Sequence, residues 1–194
     1  MNSSNGIHGP WQTNLVYGWK PNGHKGENGG TLDQWDCDAK DPSFVIHENG
    51  TSVIAYRGVR CDADAAHDHT ERVGLLVSVF DASVHNVGNP AWLGPYQRIG
   101  VPIFVDAEDL FMWIDPRTGG THMIMHTQAT DHGVNHKKIR GAHAYSADGV
   151  HSWTKAAWEL WPAELEWDDG YGPTTLLRQQ RPSLQFKPLN LAVA

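Results

Sequence analysis

The sequence predicts an all-β fold assembled from repeated four-stranded antiparallel units, and three observations predict it. First, two stretches share one layout. "DPSFVIHENGTSVIAYRG" (41–58) and "EDLFMWIDPRTGGTHMIMHT" (108–127) each read as apolar strand, turn, second strand. Second, no long helical period is sustained. "AAWELWPAELEW" (156–167) has some helical character, but Pro162 interrupts it. Third, 9 Trp and 20 Gly in 194 residues suit sheets whose faces are covered by broad rings and whose turns need glycine.

The first unit predicts strands at 43–47, 51–57, 72–79 and 96–100, with Asn49-Gly50 as the first turn. The second predicts strands at 109–114, 121–127, 141–146 and 156–161. Its last two are joined by "SADGVHSWT", where Asp148-Gly149 supplies turn chemistry. A third opening follows, "RPSLQF" (181–186), in which Pro182-Ser183-Leu184 answers Pro42-Ser43-Phe44. The turns at Gly50-Thr51 and Gly120-Thr121 lie 70 positions apart, and Pro42 and Pro182 twice that. "HGPWQ" (8–12) and "LGPYQ" (93–97) form a further echo.

Repeated four-stranded antiparallel units rich in Trp and Gly point to a β-propeller. The repeat divides the chain into the tail of a blade (1–35), two whole blades (36–103 and 104–175) and the start of another (176–194). That is two and a half to three blades, fewer than a closed ring needs, so the chain reads as a partial propeller domain. A β-sandwich of two sheets is the competing architecture.

Net charge −7, with no run of five Lys or Arg, argues against nucleic acid as a partner. No apolar run approaches the ~18 residues of a membrane span, and "MNSSNGIHGPWQ" lacks the pattern of a signal peptide.

In an up-and-down meander, the start of strand one, the end of strand two and the start of strand three share one end of the sheet. In the second unit these points are Glu108 and Asp109, His126, and Arg140 with His143. In the first they are Asp41, Arg57 and Glu71 with Arg72; in the third, Gln180 and Arg181. Acids and cations gathered at one rim could hold tuned pKa values and grip a polar ligand, with Trp113 as a stacking surface for a sugar. Each has a plainer alternative. Arg57 and Arg181 could pair only with acids of neighbouring blades, His126 could be scaffold, and His122 reads as a packed or surface residue. His67, Asp68 and His69 could bind a metal or form a solvated loop, and His132 and His136 read the same way. Cys37 and Cys61 fall at the same end of one blade, as a disulfide or as two thiols.

The openings "DPSFVI", "AEDLFMWID" and "RQQRPSLQF", with "GGTHMIMH" and "RGAHAYSADGVHSWT", resemble the five-bladed propeller superfamily that contains glycoside hydrolase family 43, the arabinanases and β-xylosidases. The resemblance covers most of residues 36–186 and rests on the order of short motifs. It implies hydrolysis of arabinose- or xylose-containing glycans with inversion, by a general-base Asp, a general-acid Glu and a second Asp that tunes the acid. Such chemistry needs two carboxyl groups about 6.5–9.5 Å apart. On this resemblance Asp109 matches the tuning Asp, and the base belongs to a blade before those present. Asp41 belongs to the second blade and is not that base. Glu108, His126, Arg140, His143, Arg57, Trp113, Asp41 and Arg181 would bind substrate. The acid position is occupied by Gln180, whose amide cannot donate a proton as a carboxylic acid does. That departure opens the alternative of a non-catalytic carbohydrate-binding propeller. The resemblance implies carbohydrate as the partner and no cofactor, with a structural Ca2+ in the channel as an option. The setting is left open, with the extracellular or secretory side favoured, and the uncovered blade faces of an incomplete ring predict self-association.

Overall fold

The computed structural model describes residues 2–3, 11–12, 35–36, 38–59, 71–79, 94–127, 140–157, 160, 164–166, 170, 172–175 and 181–184. Gln180, Cys37, Cys61, His67, Asp68, His69, His132 and His136 lie outside them. The described residues form an all-β structure with no helix, and so none long and apolar enough to cross a membrane. Two short pairs, β1 (Asn2–Ser3) with β2 (Trp11–Gln12) and β12 (Glu164–Leu165) with β13 (Thr174–Thr175), accompany two large sheets.

The first sheet is a meander of β3 (Asp38–Ile46), β4 (Ser52–Val59), β5 (Arg72–Ser78) and β6 (Tyr96–Arg98), with β7 (Phe104–Val105) also paired to β5. The second is a meander of β8 (Ala107–Ile114), β9 (Thr121–Thr127), β10 (Arg140–Ser146) and β11 (Thr154–Ala157). All pairings are antiparallel. The four-strand layout read from each sequence unit is therefore present. The described residues close no ring.

Local chemistry explains the hairpins. Gly50 closes the β3–β4 turn with a left-handed φ of 83°, and its N–H donates to His47 O at 2.8 Å. In the β8–β9 turn, the Asp115 carboxylate accepts from the Arg117 N–H at 2.9 Å, and the Gly119 N–H donates to Asp115 O at 2.8 Å. The β10–β11 link is tied by Asp148, which accepts from the N–H groups of Val150 and His151 and from the Ser146 hydroxyl. These bonds hold the Asp148 carboxyl far below the usual carboxylate range, although burial alone would raise it. The strand that follows begins at Thr154, two residues before the expected start, because this compact turn ends at Ser152.

Alternation sorts the residues onto faces. Val45, Val53, Ala55, Val73 and Leu75 leave the first sheet on the side toward the second. They meet Leu110, Met112, Met123, Met125, Ala142 and Ala144 there in one continuous core. Fully burying side chains of this size contributes about 1.5–3 kcal/mol each. We call the first sheet's core side its outer face, and the opposite side its rear. The rear is covered by Trp35, Tyr56, Leu76 and Tyr96. There Asp36 is fully buried, accepting from Arg98 at 2.5 and 2.8 Å and from the Tyr56 hydroxyl at 2.6 Å. Burial, then the Asp36 bond, pushes the Tyr56 phenol well above its ordinary value, so it remains a donor. Trp35 stacks on Tyr56 at 6.1 Å, with the Arg98 guanidinium 4.9 Å from its ring. Gly74 makes room for both rings, since a Cβ there would lie 2.4 Å from Tyr56 Cζ.

Candidate functional site

The two sheets share an irregularity at the start of the first strand. In β3 the pairing passes from Lys40 opposite Arg57 to Ser43 opposite Ala55, so Asp41 and Pro42 together face Tyr56. In β8 it passes from Glu108 opposite His126 to Phe111 opposite Ile124, so Asp109 and Leu110 together face Met125. Both are β-bulges, two residues against one. Each contains an aspartate in left-handed conformation, Asp41 at φ 49° and Asp109 at φ 52°. The third opening has Arg181 at φ 54°, again directly before a proline or leucine position. Aspartate tolerates this region better than most side chains, yet such a residue still costs of order 1–3 kcal/mol. The bulge re-aims the chain at the strand end, where Arg57 of the first sheet meets Glu108 of the second.

What gathers there is a buried ionic network. Arg57 Nη1 lies 2.7 Å from Glu71 Oε1 and 2.6 Å from Glu108 Oε2, and Arg57 Nε lies 3.2 Å from Asp41. The other Glu108 oxygen is 2.9 Å from His126 Nδ1. Glu108 and Asp109 are buried, and His126 is 1% exposed. Asp109 accepts from the Arg181 N–H at 3.2 Å, with the largely exposed Arg181 guanidinium 3.9 Å away.

The electrostatics follow from one cation serving three acids. Burial, then the charge of Glu108 and a bond to it, pushes the Glu71 carboxyl up to about 7, with Arg57 opposing. Burial would raise Glu108 too, but bonds from Glu71, His126 and Arg57 hold it below the usual range. An ionised Glu108 accepts, so His126 Nδ1 carries the proton. His126 Nε2 is then the ring's open atom, buried and without a hydrogen-bond partner among the described residues.

Ligand atoms of Glu108, Asp109 and His126 approach within 4.8 Å of one another. A calcium ion takes six to eight oxygens. Here both Glu108 oxygens are engaged by Arg57 and His126, and one Asp109 oxygen by Arg181. These residues do not fit a structural calcium ion.

Of the residues expected at the rim, Asp41, Arg57, Glu71, Glu108, Asp109, His126 and Arg181 are brought together. The Arg140 backbone pairs with Thr127, one step from the His126–Gly141 pair. His143 and Trp113 are placed elsewhere: His143 lies opposite Ile124, inside the sheet, and Trp113 opposite His122, near the far end of β8. The period-2 pattern puts both on the His126 face, but strand rise carries them away from the rim. The Asp36–Arg98 pair spans 62 positions with no motif linking them, and the sequence offers no signal for it.

No family model matches the sequence, and no curated protein matches it. Nine chains of solved structures are similar. One is a "putative glycoside hydrolase" from Parabacteroides distasonis ATCC 8503, 22% identical with a TM-score of 0.42. The likeness covers 63% of this chain and 33% of that one, so the chain spans about a third of that protein's length.

Proposed function

We propose that the chain is part of a five-bladed propeller of the glycoside hydrolase family 43 type, and that the Arg57–Glu108–Asp109 cluster is one corner of its carbohydrate site. The observation that carries this reading is the repeated strand opening. Three openings place Asp41, Asp109 and Arg181 in the same left-handed step, and the charged residues beside them converge at the strand ends. A channel site assembled from successive blades requires that kind of convergence. In the complete form the site would hydrolyse arabinose- or xylose-containing glycans with inversion. Protonation of the leaving oxygen and attack by a base-activated water would come from two separated carboxyl groups. Asp109 would orient and tune the acid. His126, through Nδ1, and Arg57 would fix Glu108.

Gln180 favours a second reading, a propeller that binds carbohydrate without turning it over. One experiment separates the two. Hydrolysis of aryl arabinofuranosides and xylosides is followed for the chain, for Asp109→Asn and for Gln180→Glu, with calorimetry of arabino- and xylo-oligosaccharides alongside. Turnover that Asp109→Asn abolishes and Gln180→Glu raises supports the hydrolase. Binding without turnover, weakened by His126→Ala, supports the binding module. Neither turnover nor binding sinks both. Phe44 and Ile46, exposed on edge strand β3, support self-association through the rear face, which sedimentation at several concentrations would reveal.

A further inference from the structure

Two histidines of the second sheet meet nitrogen to nitrogen, at positions where the fold does not require them. Strand pairing overlays the two sheets. Val45 faces Val53 and Val53 faces Val77, as Trp113 faces His122 and His122 faces Tyr145. One step along, Ala55 faces Leu75 as Ile124 faces His143. His122 and His143 therefore stand where the first sheet has Val53 and Leu75, two core residues. Aliphatic side chains serve the same backbone there, so strand formation does not explain the imidazoles.

The two rings lie within 10° of parallel with centroids 5.1 Å apart, and His122 Nδ1 is 2.8 Å from His143 Nε2. Trp113 stacks on His122 at 5.0 Å and on His143 at 5.9 Å, and Tyr145 leans on His122 at 5.0 Å. These contacts restrict both rings before any ligand arrives. All four residues are partly exposed, so solvent reaches the pair. A neutral imidazole has one lone pair, on the nitrogen without a hydrogen. Across the 2.8 Å gap one nitrogen carries the hydrogen and the other the lone pair. Moving that hydrogen to the far nitrogen of its own ring leaves two lone pairs facing one gap, with no change of charge. Burial, then the charge of His122, lowers the His143 pKa, which keeps that ring neutral and available as a ligand.

Distance selects the ion. Imidazole nitrogens bind a divalent transition metal at about 2.0–2.1 Å. Two such nitrogens at a right angle lie about 2.8–3.0 Å apart, and at the tetrahedral angle about 3.3–3.4 Å. The observed 2.8 Å fits the right angle. Square-planar and tetragonal sites of nitrogen and oxygen suit copper(II) and nickel(II), and copper(II) heads the affinity order.

We propose that His122 and His143 form a two-imidazole copper(II) site on the second sheet, with water completing the square. The site does not rest on the sugar reading. His122 lies four positions from His126 along β9, about 13 Å at the rise of a strand.

The test adds copper(II) chloride to the whole chain while ring-nitrogen NMR follows its 12 histidines. Well below one equivalent, the paramagnetic ion should first broaden the rings of His122 and His143 and the Trp113 indole. In calorimetry, the first copper affinity should fall at least tenfold in His122→Phe and in His143→Phe, which keep an aromatic ring in the stack. His151→Gln should leave it unchanged. Zinc(II) should bind these rings at least tenfold more weakly than copper(II). First broadening at other histidines overturns the proposal, as does an affinity unchanged in either Phe variant. Zinc bound as tightly as copper overturns the square-planar geometry. If neither Phe variant folds, the order of broadening in the wild type decides between copper at this pair and copper elsewhere.

Discussion

Glu71→Gln isolates the proton stored in the buried network. Glu71 and Glu108 meet the same nitrogen of Arg57, at 2.7 and 2.6 Å, and one guanidinium cannot satisfy two ionised carboxylates and Asp41 at equal depth. The folded protein therefore keeps a proton on Glu71 from its ordinary value of 4.5 up to about 7. The stabilisation from that proton is complete below 4.5 and is lost as pH rises through 7. At ~1.4 kcal/mol per pH step, the ceiling is about 3 kcal/mol. Glu108 titrates jointly with Glu71, so a realised effect of about 1–3 kcal/mol is expected. Glutamine mimics the protonated acid in shape and has no proton to lose. Urea unfolding of both proteins at pH 5, 6, 7 and 8 measures the gap between them. Histidines that titrate in this window affect both proteins and cancel in the difference. The gap should move by about 1–3 kcal/mol in favour of the variant between pH 5 and 8. A gap constant to within about 0.5 kcal/mol would refute a shared proton at this site.

Arg57→Met removes the cation from three acids, two of them well buried, and should cost about 3–5 kcal/mol at pH 7 by urea unfolding, with less lost at pH 5. Gly74→Ala places a Cβ 2.4 Å from Tyr56 Cζ and 2.6 Å from Trp35 Cη2. Overpacking of this kind costs about 1–3 kcal/mol, and a changed Trp35 environment should show in near-ultraviolet circular dichroism. Calcium, or its removal by chelator, should leave the melting temperature unchanged, because the Glu108 oxygens already have partners. A calcium-dependent rise would show that the network rearranges around the ion.

The meander was legible because it is local. Alternation in "THMIMHT" and the turn residues of each hairpin are read within a few positions, and each of the eight strands expected in the two units has a counterpart. The convergence of Asp41, Arg57, Glu108 and His126 was legible because meander geometry fixes which strand ends coincide. The bulges were not. An extra residue in β3 or β8 leaves no composition signal, since Asp-Pro and Asp-Leu are ordinary dipeptides. His143 lies too far along its strand to share the end. Three residues from Arg140 is about 10 Å along a strand, enough to remove it from the rim to the interior of the sheet.

The repeat also shows how one backbone solution carries different chemistry. At the step before the left-handed residue, Lys40 stands in the first sheet and Glu108 in the second; opposite them stand Arg57 and His126. Two cations opposite one another across the first hairpin call for acids nearby. Asp41 and Glu71 of the same unit supply two, and Glu108 of the next sheet a third, which Arg57 reaches at 2.6 Å. The buried network thus spans both units and doubles as the clamp between sheets. Replacing Lys40 and Arg57 with Glu and His removes the cation that joins the sheets, so such a double variant should loosen the sheet interface. Exchange of the core amides around Met123 and Met125 should accelerate relative to those inside β4 and β5. Uniform acceleration across both sheets would mean instead that the network stabilises the fold as a whole and not the junction.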